Sequence, residues 1–277
     1  MLGPTRRDQW DTILAGVRKA KAAGKRLVFF ITNEPGLPPE IKAIMPDALI
    51  FYRAAFSAHD LNPEECGWPH GAAWVKELWD RSYWSVQGVD VWIFTNEWWG
   101  NGRDVAFIQR FTTFWKQVID ECVRRGIVCT VGDLPVGTPG HPLEPSEAHQ
   151  LPALQELLTY CELKGMWWNQ HLYDLVDEHG NLLSREYSIT RYRLVKQGHP
   201  RLKIAAGEMG NYGKDGTFSD RTFQTMHDIY SLIKDDGVLA GWWLYCDPER
   251  QKNPEADWSK DNIEPIYPLY IDWLAAR

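Results

Sequence analysis

Short apolar segments alternate with longer amphipathic segments along almost the whole chain of 277 residues. The short segments are rich in β-branched and aromatic residues, which is typical of strands buried on both faces of a parallel sheet. The longer segments carry apolar residues at helical spacing, as at Trp10, Ile13, Leu14 and Val17. The pattern predicts seven strands, at residues 26–32, 48–56, 90–96, 127–131, 165–171, 202–207 and 238–245.

Strands that alternate with helices are joined by right-handed crossovers and run parallel. We therefore predict an α/β chain folded as a (β/α)8 barrel of the TIM type, which commonly takes about 250 residues. With the strand at 238–245 placed eighth, the first strand is shortened to residues 2–4 or missing. A further strand between Phe56 and Val89 and an open doubly wound sheet are alternatives. The open sheet is disfavoured because neither GxGxxG nor GxxxxGK[ST] follows an early strand.

The composition limits the partners of the chain. No linker, low-complexity tract or charge run divides it, so residues 1–277 are predicted to form one domain. The formal net charge of −7 argues against a nucleic-acid surface. No apolar run approaches the roughly 18 residues of a membrane span, and the first residues lack the apolar core of a signal peptide. We expect a soluble chain, either cytoplasmic or secreted after removal of a leader.

The cysteines and histidines do not form a metal-binding pattern. The five cysteines are odd in number, widely spaced and without a CxxC pair, which favours buried thiols over disulfides or zinc. The eight histidines lack HxH and HExxH spacing. No metal and no cofactor is predicted, and the absence of GxSxG gives no support to serine-based hydrolysis.

Two of the predicted strands end on a glutamate. Glu97 closes the strand at 90–96, the fourth in the barrel count, and Glu208 closes the strand at 202–207, the seventh. Strands four and seven lie on opposite sides of an eight-stranded barrel, so the two carboxylates would face each other across its mouth. Cleavage of a glycosidic bond needs such a pair, because one group protonates the leaving oxygen while the other attacks the anomeric carbon or guides water to it.

These two segments resemble the retaining (β/α)8 glycoside hydrolases of clan A. Thr95-Asn96-Glu97 looks like the Asn-Glu signature of that clan's strand four, and Ala206-Gly207-Glu208-Met209-Gly210 looks like its strand-seven segment, usually Thr-Glu-Phe/Trp-Gly. The resemblance implies that Glu97 is the general acid/base, that Glu208 is the nucleophile and that Asn96 binds the sugar 2-hydroxyl. The sequence departs from the clan where Trp98 replaces the frequent Pro and where Gly207 replaces Thr.

A second segment, Asn33-Glu34-Pro35, matches the clan's Asn-Glu-Pro motif letter for letter. Strand counting decides against it, because Glu208 lies three predicted strands beyond Glu97 but five beyond Glu34. Glu34 is therefore interpreted as a turn or helix N-terminal residue.

Further side chains are predicted to contact substrate. Asn169, His171 and Tyr173 lie at and just beyond the end of the strand at 165–171, where period-two alternation places them on one face. In the resembling clan a His-x-Tyr here orients the nucleophile and touches substrate. An Arg53 guanidinium late in a buried strand needs a carboxylate partner, either Glu208 or a structural ion pair elsewhere. The ends of strands five and eight supply the remaining candidates, Asp133 and Trp243, with Trp242 replacing Trp243 if the register slips by one.

The chain contains 15 tryptophans, several of them at strand ends. Aromatic rings suit the apolar faces of sugars, although many will only fill the core. Trp98 is predicted to contact substrate, and Trp98 and Trp99 together to raise the pKa of Glu97 by desolvation.

We therefore predict a retaining glycoside hydrolase acting on an oligo- or polysaccharide. A non-catalytic carbohydrate-binding barrel derived from a glycosidase is the main alternative. A lyase or aldolase would need a lysine at a strand end, and Lys203 begins its strand.

Overall fold

The structure is a computed structural model that describes residues 7–54, 62–97, 99, 103–174, 188–211 and 228–242. For residues 7–9, 173–174, 208–211 and 240–242 it describes the backbone alone. The predicted strand stub at 2–4 and the predicted closing helix at 263–276 lie outside the described residues. Within them the α-helices are α1 (Arg7–Ala22), α2 (Leu37–Ile44), α3 (Gly71–Arg81), α4 (Val105–Arg125), α5 (Gln150–Lys164) and α6 (Tyr192–Gly198).

The strands run parallel to one another in two sheets over the described residues. They are β1 (Val28–Thr32), β2 (Leu49–Arg53), β3 (Val91–Trp92), β4 (Thr130–Leu134), β5 (Trp167–Gln170), β6 (Leu172–Asp174), β7 (Lys203–Asn211) and β8 (Leu239–Trp242). One sheet has the order β1-β2-β3, and the other has the order β4-β5-β7-β6 with β8 also paired to β7. A parallel bridge between Trp92 and Cys129 joins β3 to the segment before β4. At the other side, β1 lies beside β8.

Apolar side chains pack on both faces of these strands. Alternate residues of the strands point to an inner cluster that draws on both sheets and includes Phe30, Phe51, Val91, Ile93 and Ala205. The opposite faces pack against the helices in a larger outer cluster. Burial on both faces explains why the strands read as continuous apolar runs in the sequence.

Local sequence signals fix both ends of α4 and the carboxyl end of α5. The Asp104 carboxylate accepts the Phe107 N–H at 2.7 Å and caps α4. Gly126 and Gly165 end α4 and α5 in the left-handed conformation, with φ of 68° and 70°, which glycine adopts without strain. The chain can therefore turn sharply from each helix into the next strand.

The predicted strands are all found, with shifted boundaries. The predicted strand at 90–96 pairs only over Val91–Trp92, because the carbonyls of Ile93 and Phe94 accept hydrogen bonds from side chains instead. Tyr83 Oη donates to the Ile93 oxygen at 2.7 Å, and the Trp74 ring N–H donates to the Phe94 oxygen at 3.3 Å. The predicted strand at 165–171 corresponds to β5, and β6 follows it beyond the predicted end; both strands pair with β7.

No helix in the described part of the chain is long and apolar enough to cross a membrane.

Candidate active site

The candidate site lies at the carboxyl ends of β3, β4, β5 and β7, directly beyond the inner apolar cluster. Inward-facing positions that are apolar deeper in the strands become polar here. Arg53 lies two residues beyond Phe51, Thr95 two beyond Ile93 and Asn169 two beyond Trp167. A polar layer therefore covers the apolar interior at the end of the sheet where ligands bind in parallel α/β folds.

Glu97 lies five residues beyond the last residue of β3, Trp92, and its backbone is in the left-handed region, with φ of 40°. Its N–H donates to the Asp133 carbonyl oxygen at 3.0 Å. The side chain is 38% exposed, and its Oε1 lies 2.7 Å from Nδ1 of His171. His171 follows β5 and is only 1% exposed, and its backbone N–H donates to the Leu134 carbonyl oxygen. The half-exposed carboxylate of Glu97 thus contacts the buried imidazole of His171.

Asn96 and Arg53 lie beside Glu97. The Arg53 guanidinium donates to Asn96 Oδ1 and is only 6% exposed. The contact with Asn96 is with an amide, and the predicted pairing of Arg53 with Glu208 or with another carboxylate stays a prediction. The side chain of Glu208 lies outside the described residues, although its backbone is part of β7.

The charges around Glu97 act against the predicted direction of its pKa. Partial burial raises the pKa of Glu97, but the His171 hydrogen bond and the positive charges of His171 and Arg53 outweigh this and leave it lowered. The rise in the Glu97 pKa predicted from the sequence is therefore wrong in its net direction. The Trp99 ring is buried in the outer cluster, where it contacts Phe107 and Phe111. Sequence reasoning missed the position of Trp99 because a Trp beyond the end of a strand can point either to the mouth of the sheet or to the core.

Asp133 does not reach the cleft, contrary to the prediction of a substrate contact. Its side chain is fully buried, and its carboxylate accepts hydrogen bonds from Thr95 at 2.5 Å, Asn169 at 2.6 Å and Thr130 at 2.8 Å. Burial raises the pKa of Asp133, and these hydrogen bonds offset only part of that effect. The strand was predicted to end at residue 131, but β4 continues to Leu134 with a register shift between Gly132 and Leu134. This bulge turns the Asp133 side chain inward.

Asn169 is 1% exposed, and both ends of its side-chain amide form hydrogen bonds within the protein. Its Nδ2 donates to Asp133, and its Oδ1 accepts the Gly207 N–H at 2.7 Å. The side chain therefore joins the Asp133 carboxylate to the Gly207 backbone, and these bonds differ from the substrate contact that alternation predicted. They also explain Gly207, since a Cβ there would lie 2.7 Å from Asn169 Nδ2.

The remaining predicted site residues lie outside the described residues, in whole or in part. Trp98 and Trp243 are outside them, whereas Tyr173 and Trp242 are described as backbone in β6 and β8. Glu34 lies in the turn before α2, where its carbonyl accepts the Leu37 N–H at 3.1 Å. Among the described residues no group of His, Cys, Asp and Glu side chains could hold a metal ion.

No protein-family model and no curated protein sequence matches the chain. Solved structures match it over most of its length. A broad-specificity family 5 endoglucanase from an uncultured bacterium gives a TM-score of 0.54 at 11% identity, over 95% of this chain and 83% of its own. An endo-β-1,6-glucanase gives 0.54 at 10% identity, over 90% and 66%. A glycoside hydrolase family 5 enzyme from Prevotella bryantii, solved with a xyloglucan tetradecasaccharide, gives 0.50 at 11% identity, over 90% and 85%.

These matched proteins are TIM-barrel glycosidases of clan A, so the resemblance predicted from the sequence is confirmed in the fold. At identities of 10 to 11% the likeness concerns the α/β architecture alone.

Proposed function

We propose that the chain is a retaining glycoside hydrolase in which Glu97 is the general acid/base and Glu208 the nucleophile. The observation that carries the proposal is the setting of Glu97. It is a half-exposed carboxylate in the segment that follows β3, contacted by His171 and adjacent to the Asn96–Arg53 pair. Such a carboxylate, on a fold shared with glycosidases, suits proton transfer to a bound sugar. Glu208 is proposed from its position in β7 and from the sequence resemblance.

The proposed reaction has two steps. In the first, a Glu208 oxygen bonds to the anomeric carbon while the glycosidic C–O bond breaks and Glu97 gives its proton to the leaving oxygen. In the second, the Glu97 carboxylate takes a proton from water, whose oxygen bonds to the anomeric carbon and releases Glu208. The same residue thus serves as acid and then as base.

The proposed fold is a closed barrel. Three features support it, namely the bridge between Trp92 and Cys129, the position of β1 beside β8, and the inner cluster drawn from both sheets. We propose that residues 1–277 form one catalytic domain on this barrel.

The lowered pKa of Glu97 bears on the working pH. The first step needs Glu97 protonated, and the groups around it favour the ionised form in the absence of substrate. We therefore expect turnover to be greatest on the acid side of neutrality, with Glu97 ionisation setting the alkaline limb of kcat/KM.

The proposed substrate is an oligo- or polysaccharide. The matched structures include an endoglucanase and an enzyme bound to a xyloglucan tetradecasaccharide. Tyr173, Trp98 and Trp243 are proposed to contact the sugar, with Asn96 at its 2-hydroxyl. Asn169 is proposed to act indirectly, through the backbone that it supports.

The test is turnover of aryl β-glycosides and β-glucans by the wild-type chain, Glu97→Gln and Glu208→Gln. Each substitution should reduce kcat by about 10²-fold or more. A crystal structure should place the two carboxyl groups about 5–5.5 Å apart, whereas about 6.5–9.5 Å would indicate inversion. Full activity in both variants would disprove the assignment.

A carbohydrate-binding barrel without turnover is the second candidate. One observation favours it, because a lowered pKa keeps Glu97 ionised and a carboxylate cannot donate a proton. Glycan binding by the wild-type chain, with no turnover between pH 4 and pH 7, would support this candidate.

A further inference from the structure

A buried hydrogen-bond network connects the segments that carry the two proposed catalytic glutamates. Its centre is the Asp133 carboxylate, which accepts hydrogen bonds from Thr95, Thr130 and Asn169. All four side chains are almost completely inaccessible to solvent. The network lies between the inner apolar cluster and the mouth of the sheets.

One side of the network holds the segment of Glu97. Thr95 Oγ1 donates to Asp133 Oδ2 at 2.5 Å, and the Glu97 N–H donates to the Asp133 carbonyl at 3.0 Å. Glu97 and Asp133 both have positive φ, 40° and 48°, a region that non-glycine residues occupy at a cost in free energy. The two bonds hold these backbones in place, and so fix the position of the Glu97 Cα from which the side chain extends.

The other side reaches the segment of Glu208. Asn169 uses both ends of its amide, with Nδ2 donating to Asp133 Oδ1 at 2.6 Å and Oδ1 accepting the Gly207 N–H at 2.7 Å. Gly207 directly precedes Glu208, and a Cβ at position 207 would collide with the Asn169 amide. The backbone before Glu208 therefore lies against a side chain that is itself fixed by Asp133.

We propose that Asp133 and Asn169 are positioning residues that set the separation of Glu97 and Glu208. The proposal rests on the proposed function for its catalytic consequence. Neither residue contacts substrate. A misplacement of about 1 Å between reacting groups costs about 10²-fold in rate, so a link through buried hydrogen bonds has a large effect on turnover.

The experiment compares Asn169→Ala, Asp133→Ala and Asp133→Asn in the full chain. Asn169→Ala removes the acceptor of the Gly207 N–H and one donor to Asp133. Asp133→Asn keeps the shape and can still accept from Asn169 and Thr130, so it serves as the conservative variant. Leu158→Ala is the control, because it opens a cavity under α5 without touching the network.

Two readouts are used, amide hydrogen exchange in the peptides that contain Glu97 and Gly207, and the separate values of kcat and KM. Asn169→Ala should speed exchange at Gly207 by roughly tenfold. It should lower kcat by about 10²-fold with little change in KM. Asp133→Asn should keep most of the protection and most of kcat.

Asn169→Ala and Leu158→Ala are compared under conditions where the two proteins have the same thermal stability. Equal amide exchange rates at Gly207 and equal kcat in the two variants would overturn the proposal. The proposal would also be overturned if Asp133→Asn lost as much amide protection and kcat as Asp133→Ala. If Asp133→Ala does not fold, Asn169→Ala takes its place in this comparison. Turnover by the wild-type chain decides the proposed function separately, because the exchange measurement reports the positioning even in a chain that cleaves no glycoside.

Discussion

The imidazole Nδ1 of His171 lies 2.7 Å from the Glu97 carboxylate, although β5 and β3 are separated by β4. The contact spans the candidate site and makes the ionisation of Glu97 depend on a residue at the end of β5. A protonated imidazole stabilises the carboxylate, which is why the contact lowers the pKa of Glu97.

Replacement of His171 should shift the pH dependence of turnover. His171→Ala removes a hydrogen-bond donor and a positive charge from the ionised form of Glu97, so the pKa of Glu97 rises. The alkaline limb of kcat/KM should therefore move to higher pH. His199→Gln is the control, since His199 bonds Gln155 rather than Glu97. An unchanged alkaline limb in His171→Ala would show that Glu97 does not set it.

Replacement of Arg53 should weaken catalysis through Asn96. Arg53→Met leaves the Asn96 carbonyl oxygen without this donor, and a hydrogen bond to a charged group contributes about 1.5–3 kcal/mol. We expect kcat/KM to fall by roughly 10- to 100-fold, and less for Arg53→Lys, which keeps the charge but loses the planar fork. Arg26→Met, at an exposed position before β1, is the matched control and should retain full activity. An Arg53→Met protein that retains full kcat/KM would contradict the prediction.

A methyl group at position 207 should disturb the protein more than one at position 198. Gly207→Ala would place its Cβ 2.7 Å from the Asn169 amide, whereas Gly198→Ala meets Gln155 at an ordinary 3.5 Å. Overpacking of this kind costs about 1–3 kcal/mol. Urea unfolding should show this loss for Gly207→Ala and no loss for Gly198→Ala. Equal stabilities would mean that the Asn169 side chain moves aside freely.

The stability of Asp133→Asn relative to the wild type should depend on pH. Burial raises the pKa of Asp133 in the folded state above its unfolded value of about 3.9. Below that value Asp133 is protonated in both states, and its contribution to stability is fully present. As pH rises through the raised pKa this contribution is lost, so the free-energy difference should move in favour of Asp133→Asn.

The measurement is urea unfolding of both proteins at several values between pH 3 and pH 7. Asp80→Asn, at an exposed position of α3, controls for the general effect of the substitution. A difference that does not change with pH would show that Asp133 titrates alike in the folded and unfolded chain.

Strand order and the location of Glu97 could be predicted because both depend on periodicity. Apolar runs and helical spacing give the alternation, and counting strands distinguishes Glu97 from Glu34. Alternation also assigns Asn169 to the inner face. Glu208 as nucleophile stays a prediction, as do the substrate contacts of Trp98, Tyr173 and Trp243.

The role of Asp133 could not be predicted, because one extra residue in β4 reverses the direction of its side chain. Nothing in the letters Val131-Gly132-Asp133-Leu134 distinguishes a bulge from the end of a strand. The direction of the Glu97 pKa was missed for a related reason. The pKa of Glu97 depends on His171 and Arg53. Arg53 ends β2, Glu97 follows β3 and His171 follows β5, so the fold and not the local sequence brings them together.

The Asn169 amide touching Gly207 limits how such a protein can be diversified. Directed evolution of the proposed activity toward a new sugar can randomise exposed positions among the described residues. Positions 133, 169 and 207, however, are structurally coupled. A change at one of them removes a hydrogen bond or the space that another of the three requires. Libraries that vary them one at a time should yield mostly inactive clones, and productive variants should carry compensating changes at two of the three.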